Sequence, residues 1–331
     1  MPAGRSPSTI PIAPPSACSA APVVPEADPM TPSIDIGHIA RPSLDLGPLD
    51  GPVLLFGGPY SNLQATEALR AEAERLGIPP SNVICTGDVV AYCGDPDATI
   101  DAIRDWGCAV AMGNCEEALG EGGEDCRCGF EKGSQCDLLS VRWFAHASAR
   151  VSADQKAWMA ALPHPVTFEL AGARVAVVHG HSRDISEWVF ASTPEAEKRV
   201  ALDDLDADIV VAGHSGLPFT QVLADGRMWH NPGVIGVPAN DGTPRVWYSI
   251  MEPGADGVTV RHLALDYDFE GARARMIAED LPDAYRKTLA NGLWPNLDVL
   301  PTAESEATGH AIRETAVTWS NPLHALERRV Q

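Results

Sequence analysis

Basic residues are scarce in this chain of 331 residues. Lys and Arg number 24 against 45 Asp and Glu, which gives a formal net charge of −21. Such a surface repels phosphate backbones and anionic lipid headgroups, so we expect neither nucleic acid nor a membrane as a partner. The sequence also lacks an apolar run near the roughly 20 residues of a membrane helix, and it lacks the apolar core of a signal peptide. We therefore expect a cytoplasmic protein whose thiols are reduced.

Regular apolar periodicity begins only after a long segment that lacks it. Residues 1–50 are rich in Pro, Ala and Ser, and this composition predicts a disordered tail. Residues 51–267 show a β–α–β–α–β pattern followed by helices and further strands, which predicts an α/β fold of two sheets flanked by helices. A Cys- and Gly-rich stretch at about 116–140 is predicted to be an insertion. Residues 268–331 are predicted to form a helical extension and a polar tail.

Four short apolar runs each end at a residue that can bind a metal. Those residues are Asp88, Asn114, His179 and His214, and a glycine lies beside or near each of them. Because ligands of α/β sheets lie at the carboxyl ends of strands, we expect these four side chains to converge. One carboxylate, one amide oxygen and two imidazoles form a mixed set that suits Mn, Fe or Zn.

Five motifs occur in an order and spacing that resemble the calcineurin-like metallophosphoesterase superfamily, in particular its small bacterial branch. They are GDVVAYCGDP (Gly87–Pro96), GNCEE (Gly113–Glu117), VHGHSRDISEW (Val178–Trp188), GHSG (Gly213–Gly216) and NPGVIG (Asn231–Gly236). The resemblance implies a two-sheet sandwich flanked by helices and a site that usually holds two metals. It also implies that the four residues named above bind one of those metals.

The resemblance breaks down at the ligands of the second metal. In the family these come from a DxH motif and from the second His of a GHxH motif, and the matching positions here are Gly58, Tyr60 and Gly216. Losing all three while keeping the other set implies a one-metal centre, or a second site rebuilt from other residues. Cys115 replaces a histidine that relatives place as a proton donor, so it is a candidate acid, ligand or nucleophile.

Several other side chains are candidates for the same site. His181 is predicted to be a further ligand, a proton donor or a phosphate contact, with a solvated loop position as the alternative. Arg183 is a candidate for holding phosphate or for pairing with a nearby acid. Tyr60 is a candidate for stacking on substrate, for binding iron or for filling the space of lost ligands. Asn62 and Asn240 are candidates for substrate contact.

Four cysteines near the Gly-rich stretch have the spacing C-x10-C-x-C-x7-C. They are Cys115, Cys126, Cys128 and Cys136. This setting resembles a metal-binding loop that holds structural zinc or an iron–sulfur cluster, although the spacing matches no standard finger. A redox pair or free thiols are the alternatives.

Together these features predict a metal-dependent hydrolase of small phosphate monoesters or diesters. We expect one divalent transition metal, Mn, Fe or Zn, and a small phosphorylated molecule as the partner. His181 or Cys115 would act as the acid, and Arg183 would neutralise charge on the phosphate. The alternative is a metal-binding regulator, or a redox or iron protein, on the same fold.

Overall fold

A computed structural model describes residues 42–321 of the chain. Within them, two mixed six-stranded sheets pack face to face and helices cover their outer faces. The predicted α/β two-sheet fold is therefore confirmed. The described helices contain none that is both long and apolar enough to cross a membrane.

The first sheet combines parallel strands with antiparallel edges. Its strands, in spatial order, are β1 (Leu44–Pro48), β5 (Val166–Leu170), β6 (Ala173–Val178), β7 (Ile209–Ala212), β9 (Met228–Asn231) and β8 (Phe219–Val222). Strands β6, β7 and β9 run parallel, so their carboxyl ends lie at one edge of the sheet.

The second sheet has a parallel half and an antiparallel half. Its strands, in spatial order, are β12 (Thr315–Ser320), β11 (Gly257–Leu265), β10 (Val246–Gly254), β2 (Val53–Phe56), β3 (Val83–Cys85) and β4 (Ala109–Val110). Strands β2, β3 and β4 are parallel, whereas β10, β11 and β12 form an antiparallel meander.

Helices fill the connections between the strands. They are α1 (Leu63–Leu76), α2 (Pro96–Trp106), α3 (Asn114–Gly120), α4 (Gln135–Arg150), α5 (Ala153–Ala160), α6 (Glu195–Asp204), α7 (Phe269–Ala278), α8 (Asp283–Asn291) and α9 (Thr302–Glu306). Helix α1 ends at Gly77 in the left-handed conformation, as its sequence indicates. It begins after Asn62, because the Asn62 carboxamide and not Ser61 accepts the N–H of Ala65.

Alternating side chains of β2 show how the layers are built. Val53 and Leu55 belong to the core between the two sheets, whereas Leu54 and Phe56 belong to the core between the second sheet and its helices. Successive side chains of a strand point to opposite faces, so a strand covered on both faces is apolar throughout. The sequence of β2, VLLF, has this pattern.

The structure differs from the predicted segment boundaries at three places. Strand β1 lies inside the predicted tail and pairs with β5, and the rest of that tail lies outside the described residues. Helices α3 and α4 occupy much of the predicted insertion, so only residues 121–134 connect them. Strand β12 lies within the predicted helical extension and polar tail and extends the second sheet beside β11. Both β1 and β12 are edge strands, and their pairing depends on distant residues that a local pattern does not reveal.

Candidate metal centre

The ends of four strands bring the predicted ligands together. Asp88 follows β3, Asn114 opens α3 just after β4, His179 follows β6 and His214 follows β7. The parallel strands of both sheets end at the same edge of the sandwich, and all four side chains are buried there. We call these four residues the retained half of the site.

His179 occupies the middle of the retained half. Its Nε2 atom lies 3.0 Å from Asn114 Oδ1, 3.0 Å from His214 Nδ1 and 3.3 Å from Asp88 Oδ2. The ligand atoms of Asp88, His179 and His214 all lie within 4.8 Å of one another. No other trio of His, Cys, Asp or Glu within residues 42–321 is arranged in this way.

Neighbouring groups fix which atoms face the centre. His179 Nδ1 donates to the Thr86 carbonyl at 2.7 Å, so Nε2 presents its lone pair. Asn114 Nδ2 donates to the Cys126 carbonyl at 2.8 Å, which leaves Oδ1 facing His179. Acceptor atoms that face one another in a buried site are stabilised by a proton or a metal cation between them. The donor set therefore fits a divalent transition metal held by two imidazoles and two oxygens.

The charges of the cluster depend on one another. Burial opposes ionisation of Asp88, but His179 and His214 outweigh it and lower the pKa of the carboxyl group. Burial likewise opposes protonation of His179, but the carboxylate of Asp88 raises the pKa of that ring. Burial and the adjacent His179 lower the pKa of His214 to about 3. The raised pKa of His179 favours a proton on its ring in the metal-free protein, and a metal would displace that proton.

Glu116 orders the loop that carries Asp88, and the sequence analysis did not single it out. Its carboxylate accepts the backbone N–H groups of Asp88 at 2.7 Å, of Val89 at 2.8 Å and of Gly113 at 3.0 Å. Burial and the charge of Asp88 raise the pKa of Glu116 to about 7, while these backbone donors oppose the shift. A Glu three residues after the Gly113 cap of α3 is a capping-box signal that could have identified it.

The positions of the lost ligands form a second region, which we call the rebuilt half and define by Gly58, Tyr60 and Gly216. A Cβ atom at position 58 would lie 2.7 Å from Tyr60 Cε1, so the Tyr60 ring occupies the space of a side chain there. Gly216 is in the left-handed conformation, and a Cβ atom there would approach Val234 and Trp294. Burial and the Asp88 carboxylate raise the pKa of Tyr60 well above its ordinary value. Of its three predicted roles, the geometry favours filling the space of the lost ligands.

Two predicted catalytic side chains lie away from the retained half. His181 Nε2 contacts the Glu197 carbonyl of α6 at 3.2 Å, and the ring stacks on Trp229. Arg183 pairs with Asp204 through two hydrogen bonds of 2.6 and 2.8 Å. Strand β6 ends at Val178, so the alternation that would place His181 beside His179 no longer applies. The predicted roles of His181 and Arg183 on the phosphate are therefore not supported by their positions.

The two predicted substrate-binding asparagines have their amide groups engaged inside the protein. Asn62 caps α1 and donates to the Gly236 carbonyl at 2.9 Å. Asn240 accepts the backbone N–H of Trp294 and donates to Thr308 Oγ1, both at 2.9 Å. Because both are fully paired and buried, we assign Asn62 and Asn240 to holding the chain in place and not to binding substrate.

The four cysteines do not form the predicted metal cluster. Cys126 and Cys128 form a disulfide, which corrects the expectation of reduced thiols for this pair. The Cys136 thiol donates a hydrogen bond to Asn296 Oδ1 at 3.0 Å. Cys115 lies beside Asn114, and its pKa is raised well above its ordinary value by burial and by Asp88. A thiol and a disulfide next to the retained half therefore replace the predicted zinc or iron–sulfur site.

Known proteins share the motifs of this chain. The sequence pattern of the calcineurin-like phosphoesterase superfamily domain matches residues 61–252. An uncharacterised protein of Methanocaldococcus jannaschii is 23% identical over 242 residues, which cover 68% of this chain and 91% of that protein. The matched pattern spans more than half of the sequence and includes all four residues of the retained half. The chain belongs to the calcineurin-like phosphoesterase superfamily.

Solved structures share the fold. A hypothetical protein of Pyrococcus horikoshii superposes with a TM-score of 0.63 at 14% identity, over 73% of this chain and 99% of that one. A metallophosphoesterase of Sphaerobacter thermophilus superposes with a TM-score of 0.56 at 21% identity and the same coverage of 73% and 99%. At these identities the similarity concerns the arrangement of sheets and helices.

Proposed function

We propose that this protein hydrolyses small phosphate esters with one divalent transition metal bound by the retained half. The observation that supports the proposal is the buried convergence of Asp88, Asn114, His179 and His214, with acceptor atoms 3.0 to 3.3 Å from His179 Nε2. The rebuilt half offers no comparable ligand set, because Gly58 and Gly216 lack side chains and Tyr60 remains protonated. Membership of the phosphoesterase superfamily supports the same chemistry.

The chain's own residues would hold and orient the reacting groups. When bound, the metal would polarise a phosphoryl oxygen and lower the pKa of a water molecule. The Thr86 carbonyl fixes the tautomer of His179, and Glu116 fixes the loop that presents Asp88. Burial of all four ligands excludes bulk water, which strengthens every electrostatic contact at the site.

Neither of the predicted acids is well suited to protonate a leaving group. The pKa of Cys115 is raised well above its ordinary value, so the thiol is a weak acid near neutral pH. His181 points to α6, and its Nε2 atom contacts the Glu197 carbonyl. We therefore expect substrates whose leaving group departs without a proton, such as phenolic esters, to react fastest.

The test combines metal analysis with turnover. Protein loaded with Mn, Fe or Zn should hydrolyse p-nitrophenyl phosphate or bis-p-nitrophenyl phosphate and contain one metal ion per chain. His179→Ala should lose the metal and at least about 100-fold in kcat/KM, because it removes the central ligand. Asp204→Asn is the matched control, since its partner Arg183 lies at the surface. Turnover that persists without metal, or that survives His179→Ala, would contradict the proposal.

A second candidate function is a redox-sensitive metal protein without phosphatase chemistry. The observation in its favour is that Asn114 Nδ2 lies 3.5 Å from Cys128 Sγ of the disulfide and 3.5 Å from Cys115 Sγ. An absorption spectrum of anaerobically purified protein separates the two. Strong bands near 400 nm indicate thiolate–iron or iron–sulfur ligation, whereas a colourless one-metal protein with turnover supports the hydrolase.

A further inference from the structure

A pocket with a cavity volume of about 60 Å³ lies directly beside the retained half. His214 forms part of its wall, and the rest is mostly aromatic or aliphatic. The aromatic lining residues are Tyr60, Tyr92, Phe130, Trp188, Tyr285 and Trp294. Small-molecule sites are likewise lined mainly by apolar side chains with a few polar groups.

The pocket includes the positions of the lost metal ligands. Tyr60 and Gly216 both line it, and the Tyr60 ring covers Gly58. Trp294 also lines the pocket and is fixed by two hydrogen bonds, from its backbone N–H to Asn240 Oδ1 at 2.9 Å and from its Nε1 to the Pro238 carbonyl at 2.8 Å. The rebuilt half is therefore a preformed aromatic compartment.

The composition of the wall restricts what it can hold. Its lining, within the described part of the chain, contains no Lys, Arg, Asp or Glu. A second phosphate or a polyphosphate chain would find no counter-charge there. A planar aromatic ring matches the wall, because aromatic rings stack edge to face or offset on one another.

Two lining residues carry hydrogen-bond donors that lack a partner among residues 42–321. They are Trp188 Nε1 and Asn296 Nδ2, and both atoms are buried. The Trp188 ring lies only 4.2 Å, centroid to centroid, from that of His214. A buried donor without a partner is costly, so a ligand that brings acceptor atoms would relieve that cost.

We infer that this pocket binds the planar aromatic substituent of the phosphate ester, which stacks on the aromatic wall. The inference rests on the proposed function, since it places the phosphate at the retained half. It also agrees with the lack of a suitable acid, because an aryl oxide leaves without protonation. A nucleobase and a simple aryl group share the required chemistry.

Binding of phosphonates tests the inference without relying on turnover. Phenylphosphonate, cyclohexylphosphonate and methylphosphonate carry the same charged group and are titrated calorimetrically into the metal-loaded protein. The Kd of phenylphosphonate should be at least about tenfold lower than that of the other two, as expected for one stacked ring. Adenosine 5′-methylphosphonate then shows which kind of ring the pocket prefers. Tighter binding than that of phenylphosphonate indicates a nucleobase, and weaker binding indicates a simple aryl group.

A pocket-filling variant with a matched control locates the ring. Val299 lines the pocket outside any helix or strand and is half-buried, so Val299→Trp should fill the cavity without disturbing the core. It should weaken phenylphosphonate binding at least about tenfold while methylphosphonate binding changes less than about twofold. Val222→Trp, which adds the same side chain on the exposed face of β8, should change neither.

The outcomes separate this inference from the proposed function. Equal affinity for the three phosphonates, or no effect of Val299→Trp, would overturn the aromatic pocket even if metal-dependent hydrolysis persists. Ring-selective binding without metal-dependent turnover would overturn the hydrolase and leave the pocket in place. Ring selectivity that Val299→Trp removes, together with turnover that depends on His179, would support both.

Discussion

The retained half and the rebuilt half of the site lie side by side but are built in opposite ways. The retained half consists of polar atoms that face one another and are held by the Thr86 carbonyl and the Glu116 carboxylate. The rebuilt half consists of aromatic rings, and where ligands would stand it has two glycines in the left-handed conformation, Gly58 and Gly216. One half therefore offers a set of metal ligands, and the other offers none.

Where the family resemblance predicts the ligands of a second metal, this chain has packed aromatic rings. A site that had only lost its ligands would leave a polar gap around positions 58 and 216. Instead the Tyr60 ring fills the space at Gly58 and packs edge to face on Tyr92, with ring centroids 4.9 Å apart. Protein interiors tolerate few gaps, so the loss of ligands and the gain of rings belong to one structural solution.

The largest effect is expected from Gly113→Ala in the retained half. A Cβ atom there would overlap Asp88 Oδ1 and lie 2.7 Å from Glu116 Oε2. Asp88 would have to move, so we expect metal affinity to fall at least about 100-fold. Calorimetric titration with Zn²⁺ or Mn²⁺ measures it. Gly254→Ala is the control, because its Cβ would meet nothing closer than 3.6 Å. Unchanged affinity in Gly113→Ala would show that Asp88 is not held as described.

A double-mutant cycle tests the packing of the rebuilt half. Gly58→Ala should destabilise the protein by about 3 kcal/mol, because the new methyl group overlaps the Tyr60 ring. In a Tyr60→Ala background the same change should cost about 1 kcal/mol, the cost of a left-handed alanine. Urea denaturation measures both values.

The control for that cycle is Gly77→Ala, which isolates the backbone cost. Gly77 has a similar positive φ, and a Cβ atom there would meet nothing within 4 Å. It should therefore cost about 1 kcal/mol with or without Tyr60. Additive effects of Gly58→Ala and Tyr60→Ala would mean that the ring does not replace a side chain at position 58.

The two halves should differ in how ligand affinity depends on pH. The pKa of His179 is raised by Asp88, so in the metal-free protein the ring keeps its proton to a higher pH than a free imidazole, and metal must displace that proton. Metal affinity should therefore be constant above that pKa and fall by about tenfold per pH unit below it. In the aromatic pocket the pKa of His214 is lowered to about 3 and those of the tyrosines are raised, so uncharged aromatic probes should bind equally from pH 5.5 to 7.5.

Titrations with metal and with phenol at several pH values provide the measurement. The proton released on metal binding can be counted from the buffer dependence of the calorimetric enthalpy. Metal affinity that is flat down to pH 5 would contradict the raised pKa of His179. Phenol affinity that follows the metal curve would place the ring against the titrating cluster and not in the pocket.

The sequence predicted which four side chains meet at the strand ends, because each of them follows a short apolar strand. A run such as RVAVV before His179 identifies the strand, and the topology brings the strand ends to one edge. The directions and contacts of side chains beyond those strand ends could not be predicted in the same way. His181 lies in a turn, where its backbone N–H donates to the Asp184 carbonyl at 2.9 Å. No strand or helix periodicity governs the direction of its side chain there. The disulfide and the pocket depend on loops whose packing has no local signal.

The smallest effect is expected from Arg183→Ala, which lies in neither half. Arg183 is about two thirds exposed and forms a bidentate pair with Asp204 of α6. Exposed ion pairs contribute about 0–1 kcal/mol, so neither stability nor metal content should change much. The kcat/KM for p-nitrophenyl phosphate should stay within about twofold of the wild-type value. A decrease of 100-fold or more would mean that the guanidinium leaves Asp204 to bind phosphate, and that the site acquires a positive charge when substrate arrives. It would also weaken the contrast between the retained half and the rebuilt half, because the uncharged pocket would then open onto a phosphate site with two cations.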